Sequence, residues 1–146
     1  MSRFRNVAGA TFALGAFLMI APAAQADTIK LTSTLSGKNE VPPVQTPASG
    51  GADMTFDTAT RTLSWTVTFQ GLSAELRAAH FHGQASMTEN APIVVPIATR
   101  DAKSPVKGSK VLTPEQGEAL LAGRWYINVH TATHPPGEIR GQVVRQ

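Results

Sequence analysis

The sequence contains no cysteine in its 146 residues. Disulfide bonds and thiolate-bound metals are therefore excluded, and the fold must be stabilised by packing alone. Any metal would have to be held by nitrogen and oxygen ligands. This disfavours zinc-finger and blue-copper sites and leaves imidazole-rich copper or zinc sites open.

Several catalytic motifs are also missing. The chain has no Gly-x-Ser-x-Gly elbow, no His-Glu-x-x-His helix and no phosphate-binding loop. Hydrolytic and phosphoryl-transfer chemistry therefore find little support. We expect a binding protein rather than an enzyme, and we assign no catalytic residue.

Only one long apolar run occurs, and it lies near the N-terminus at positions 7–20. Arg3 and Arg5 precede the run, and the small-residue stretch 24–26 follows it. This pattern predicts a secretory signal peptide over residues 1–26, with an uncleaved membrane anchor as the alternative. Cleavage would give a periplasmic or secreted protein that begins at Asp27 and has no membrane attachment.

The remaining 120 residues, 27–146, are enough for a single domain with one core. Without Arg3 and Arg5, 11 basic side chains face 10 acidic ones, so the predicted mature protein carries little net charge. Nucleic acid is therefore an unsuitable partner.

Apolar and polar residues alternate through most of this domain, most clearly in the stretch Leu63–Phe69. Such alternation is typical of half-buried β-strands separated by turns. Further strands are predicted at 29–35, 52–56, 79–81, 125–129 and 139–143. Short strands of this kind predict an all-β fold, an antiparallel Greek-key β-sandwich or barrel, with one short helix.

The helix is predicted after Thr113, which is a suitable N-cap. Pro114 suits the first helical position, and Gln116 is placed to complete a capping box. Gly123 should end the helix.

All four histidines lie in two short clusters, His80-Phe81-His82 and the stretch 130–134. If Phe81 faces the core, His80 and His82 share the opposite face of their strand. His130 on a neighbouring strand would supply a third imidazole, and His134 in the following loop would either supply a fourth ligand or lie at the rim of the site. This predicts a metal site, with copper favoured over zinc because of the all-nitrogen ligand set. Imidazoles that only hydrogen-bond on a polar surface are the alternative.

Polar residues on adjoining strands should support these ligands. Tyr126 and Asn128 share the outer face with His130, and Glu138 and Arg140 follow on the last strand. We expect Glu138 to accept a hydrogen bond from a ligand imidazole, with Arg140 holding its carboxylate. An ion pair between these two residues on the strand surface is the alternative.

Six ordered motifs resemble the CHRD domain, the module first named from chordin. They are Asn39-Glu40-Val41-Pro42-Pro43, Ala78-Ala79-His80-Phe81-His82-Gly83, Leu112-Thr113-Pro114, Leu121-Ala122-Gly123, Tyr126-Ile127-Asn128-Val129-His130-Thr131 and Gly137-Glu138-Ile139-Arg140-Gly141-Gln142. The resemblance implies one CHRD domain over 27–146 with an immunoglobulin-like or copper/zinc superoxide-dismutase-like fold. It also implies that His80, His82, His130, Glu40, Glu138 and Arg140 occupy family positions, whereas His134 falls where the family varies.

The expected function is therefore that of an exported CHRD-domain protein that binds a metal ion, with copper favoured over zinc. Two alternatives stay open. One is a non-metal module that binds another exported protein, as the chordin association implies. The other is a copper oxidoreductase, because Ala-His-Phe-His-Gly is similar to the His-x-His strand of copper/zinc superoxide dismutases.

Overall fold

The computed structural model describes residues 27–146. The predicted signal peptide, 1–26, lies outside the described residues. The described part is all-β, with nine antiparallel strands and one short α-helix. In chain order the elements are β1 (Thr28–Ser36), β2 (Ser49–Asp57), β3 (Thr62–Gln70), β4 (Leu76–Gly83), β5 (Ile93–Thr99), β6 (Val106–Val111), α1 (Pro114–Leu121), β7 (Trp125–Thr131), β8 (Ile139–Gln142) and β9 (Val144–Arg145).

The strands form a single sheet in the order β5-β4-β7-β8-β1-β2-β3-β6, and β9 pairs with β1. The two terminal strands, β5 and β6, approach each other, so the sheet is nearly closed into a barrel. Non-consecutive strands pair at β4–β7, β8–β1 and β3–β6, so the chain crosses over several times. This confirms the predicted fold class in its barrel form.

The core is made of alternate side chains from these strands. Phe81 of β4 is completely buried, with its ring centroid 5.2 Å from that of Trp65 and 5.8 Å from that of Trp125. Since successive residues of a strand face opposite sides, these three aromatic rings fix which face of β4 and β7 points inward.

Helix α1 begins directly after the predicted N-cap, Thr113. The Thr113 side chain accepts a hydrogen bond from the Gln116 backbone N–H, and the Gln116 side chain accepts one from the Thr113 N–H. Gly123 has φ +70°, a left-handed conformation that glycine adopts without strain. The predicted capping box and C-terminal glycine are thus confirmed.

Three strands were not predicted individually, and one of them, β9, has only two residues. β5 contains Pro96 and a continuous apolar run rather than an alternation, and β6 is mostly polar. Both strands lie at the ends of the sheet, and end strands tolerate proline and polar residues better than central strands do.

Within residues 27–146, no helix is both long and apolar enough to cross a lipid bilayer.

Replacing Phe81 with alanine should lower the free energy of unfolding by about 3–5 kcal/mol, because it opens a cavity between two tryptophans. Urea denaturation measures the change. Val111→Ala is the control, since Val111 is 58% exposed and its truncation should cost less than about 0.5 kcal/mol. Similar losses for both variants would contradict the assigned core.

Candidate metal centre

Three of the four histidines meet on the polar face of β4 and β7. His80, His82 and His130 each bring one ring nitrogen within 4.8 Å of the nitrogens of the other two. Their ring centroids lie 5.1 Å apart for His80–His130 and 5.7 Å apart for the other two pairs. Two nitrogens bound to the same metal ion are at most about 4 Å apart. A small rotation of the three rings would therefore bring their nitrogens close enough to bind one ion.

Strand alternation and register produce this cluster. Burial of Phe81 directs His80 and His82 to the opposite face of β4. In the pairing of β4 with β7, His130 lies directly across from Ala78 and therefore diagonal to His80. The small side chain of Ala78 leaves room for the His130 imidazole to reach His80.

Two loop carbonyls orient the imidazoles. His82 Nδ1 donates to the Ala91 carbonyl over 2.9 Å, and His130 Nδ1 donates to the Pro135 carbonyl over 3.0 Å. A carbonyl oxygen can only accept, so Nδ1 carries the proton in both rings. Nε2 is then the unprotonated nitrogen in both rings. It is buried and has no hydrogen-bond partner among the described residues, and the same holds for His80 Nδ1.

The face that carries the histidines is partly buried, contrary to the expectation of a solvent-facing surface, and His80 and His130 are half-buried. His82 is 8% exposed, and Tyr126 and Asn128 are 2% and 3% exposed. Burial lowers the pKa of all three imidazoles; that of His80 falls to about 4, with the neighbouring His130 and His82 adding to the effect. The neutral form, which is the form that binds metals, is therefore favoured.

His134 lies outside the group of three. Its backbone N–H donates to Thr131 Oγ1, and its side chain lines a cavity beside His82. The structure thus gathers three of the four predicted ligands and leaves the loop histidine at the edge.

A stack of planar groups supports His82. The Tyr126 ring lies parallel to the His82 ring at a centroid distance of 4.9 Å and an angle of 8°. The Arg140 guanidinium carbon lies 3.5 Å from the centre of the Tyr126 ring. Arg140 also donates to Asn90 Oδ1 and to the Ser86 and Glu89 carbonyls, so it anchors the β4–β5 loop.

Glu138 bonds neither to an imidazole nor to Arg140, in contrast to the expected arrangement, because Arg140 is bonded to Asn90 and two loop carbonyls instead. Its carboxylate accepts hydrogen bonds from Thr46 Oγ1, Thr131 Oγ1 and both the N–H and Oγ of Ser73, at 2.7–2.9 Å. Burial raises its pKa, but these four bonds outweigh burial and lower the pKa overall. Glu138 therefore connects the segments that carry Thr46, Ser73 and Thr131. The imidazole N–H bonds that we expected it to accept are accepted by loop carbonyls instead.

Glu40, which the resemblance places at a family position, is a buried acid. It is 6% exposed, and both of its oxygens accept from Asn128 Nδ2 at 2.9 Å. Gly137, with φ +144°, passes so close that a side chain there would collide with both groups. Burial raises the pKa of Glu40 to about 7, although Asn128 and Arg140 act in the opposite direction. Asn128 pairs directly with His80, so this acid lies beside the histidine cluster.

The family model for the CHRD domain matches residues 31–143. The chain belongs to the CHRD domain family. This is an extracellular module family, and the match confirms the resemblance seen in the six motifs. Comparison with curated proteins and with solved structures gave no match. All three clustered histidines of this CHRD domain lie within the matched residues.

His80 should make the metal-free CHRD domain more sensitive to acid. Unfolded imidazoles titrate near pH 6.5, whereas the pKa of His80 is about 4 in the folded chain, so His80 binds its proton more readily in the unfolded state between these values. Glu40, with its pKa raised to about 7, acts in the opposite direction in both the wild-type protein and a His80 variant. The free energy of unfolding of wild type relative to His80→Gln should therefore fall as pH drops from 6.5 to 4, and urea unfolding of both proteins across this range measures the difference. An identical profile for the variant would contradict the lowered pKa.

Glu138→Gln should lower the free energy of unfolding by about 1–3 kcal/mol, because an amide NH₂ would face hydroxyl and N–H donors. Urea denaturation measures this. Glu118→Gln on the exposed side of α1 is the matched control and should be almost neutral. Equal stability of both variants would show that the four hydrogen bonds contribute nothing.

Proposed function

We propose that this exported CHRD domain binds one copper ion per chain through His80, His82 and His130. The observation that carries the proposal is the convergence of three ring nitrogens within 4.8 Å, with two Nε2 atoms and one Nδ1 atom buried and unpaired. Buried polar atoms without partners are costly. A metal ion would satisfy all three at once.

The ligand set favours copper over zinc. The cluster contains three imidazoles and no carboxylate, and cysteine is absent from the chain. Nitrogen ligands suit Cu(II), which binds more tightly than zinc to most nitrogen and oxygen sites. The fixed Nδ1–H bonds of His82 and His130 hold these rings in the tautomer that presents Nε2.

The proposed role is metal binding or copper handling in the periplasm or outside the cell. The polar face is partly buried, which suits retention of an ion. The proposed location rests on the apolar N-terminal run and the small-residue stretch that follows it.

Isothermal titration of untagged, metal-free protein with Cu(II) at pH 7.5 should give 1:1 binding with a dissociation constant of about 1 µM or lower. Zn(II) should bind more weakly. His80→Ala, His82→Ala or His130→Ala should each weaken copper binding by about 100-fold or more, because each removes one of three ligands.

His134→Ala is the matched control, because this histidine lies at the edge of the site and not in the group of three. Its copper affinity should stay within a few-fold of wild type. Equal losses in all four variants would make His134 a full ligand. A flat titration of the wild-type protein would overturn the metal proposal and favour a module that binds another exported protein.

A further inference from the structure

A cavity of about 280 Å³ adjoins the histidine cluster. It lies between the loop that follows β1 and the loop that follows β7, and His82, Tyr126 and Asn128 form part of its wall. A water molecule takes up about 30 Å³, so the cavity has room for a small organic molecule of roughly nine non-hydrogen atoms.

Two hydrogen-bond acceptors of this cavity lack sufficient donors, whereas the Asn90 Nδ2 and Tyr126 hydroxyl donors of its wall already bind loop carbonyls, and His134 lies at the wall as well. Asn128 is 3% exposed, and its Oδ1 is buried with no hydrogen-bond partner among the described residues. Glu40 adds a carboxyl whose two oxygens share a single donor atom, Asn128 Nδ2. A buried acceptor without a donor is unfavourable, so these atoms call for a donor from a ligand.

The charge of the side chains that line the cavity favours a cationic ligand over an anionic one. Among residues 27–146, Glu40 is the one acidic side chain that lines the cavity, and neither lysine nor arginine lines it. The nearby Arg140 guanidinium is engaged with Asn90 and two loop carbonyls. Apolar side chains complete the wall, among them Val41, Val44 and Pro136.

We propose that this cavity binds a small primary amine, with the ammonium group at Glu40 and Asn128 and the alkyl part against the apolar wall. The ammonium group would donate to a Glu40 oxygen and to Asn128 Oδ1, which supplies the donors that these acceptors lack. An ammonium beside Glu40 also favours the ionised carboxylate, whose pKa burial raises to about 7. The site requires no bound metal.

The test is an NMR titration of metal-free protein at pH 8 with 1-aminopentane, 1-pentanol and pentanoate. At this pH the amine remains protonated and Glu40 is ionised. We expect 1-aminopentane to shift the backbone amide signals of Val44 and Ala91 and to bind at least about tenfold more tightly than the alcohol or the acid. Equal binding of the alcohol, or tighter binding of pentanoate, would overturn the proposal.

Glu40→Gln should weaken amine binding by about tenfold or more, whereas Glu118→Gln on exposed α1 should leave it unchanged. Unchanged binding in Glu40→Gln, or equal losses in both variants, would also overturn the proposal. The comparison of the three ligands on wild-type protein needs no variant and stands if Glu40→Gln fails to fold. Since the titration is run without metal, its failure leaves the copper proposal intact, and the reverse also holds.

Discussion

The packing of Phe81 between Trp65 and Trp125 is the contact on which the polar site depends. These rings pack at centroid distances of 5.2 and 5.8 Å, and Phe81 is fully buried. Because a strand alternates its faces, burial of Phe81 sends His80 and His82 to the other side. A one-residue slip of β4 would put both imidazoles into the apolar core and expose the phenylalanine, so the energy of core packing also secures the direction of the ligands.

Loop residues fix the orientation of the histidines that the strands bring together. The carbonyls of Ala91 and Pro135 fix the tautomers of His82 and His130, and the Tyr126 hydroxyl accepts from the Ala91 N–H, so one loop residue is held at two points. This face is partly buried, with His82 buried and His80 and His130 half-buried. Burial penalises protonated imidazole and favours the neutral ring, so burial and the ability to bind a metal have one physical cause.

The sequence predicted the parts of this molecule that depend on periodicity and on local capping. The alternation at Leu63–Phe69, the Thr113 capping box and the meeting of the two histidine clusters all follow from spacing along the chain. The two end strands were not predicted, since β6 has little apolar alternation. Carbonyl partners could not be predicted, because every residue has one and only the loop path decides which of them meets an imidazole. The burial of Glu40 likewise depends on how the loop after β1 folds over Asn128, a long-range contact between residues 88 positions apart.

Two buried glutamates, Glu138 and Glu40, differ in how many hydrogen-bond donors surround them, and this difference separates a structural role from a binding role. Glu138 is completely buried and receives four hydrogen bonds from three residues, so its negative charge is well compensated and its pKa is lowered. Glu40 is similarly buried but has one donor group, and its pKa is raised. A carboxylate with a full set of donors has nothing left to offer a ligand, whereas an underpaired one beside a cavity gains from any donor that enters. The difference in donors, rather than the shared residue type or burial, assigns Glu138 to the fold and Glu40 to the cavity.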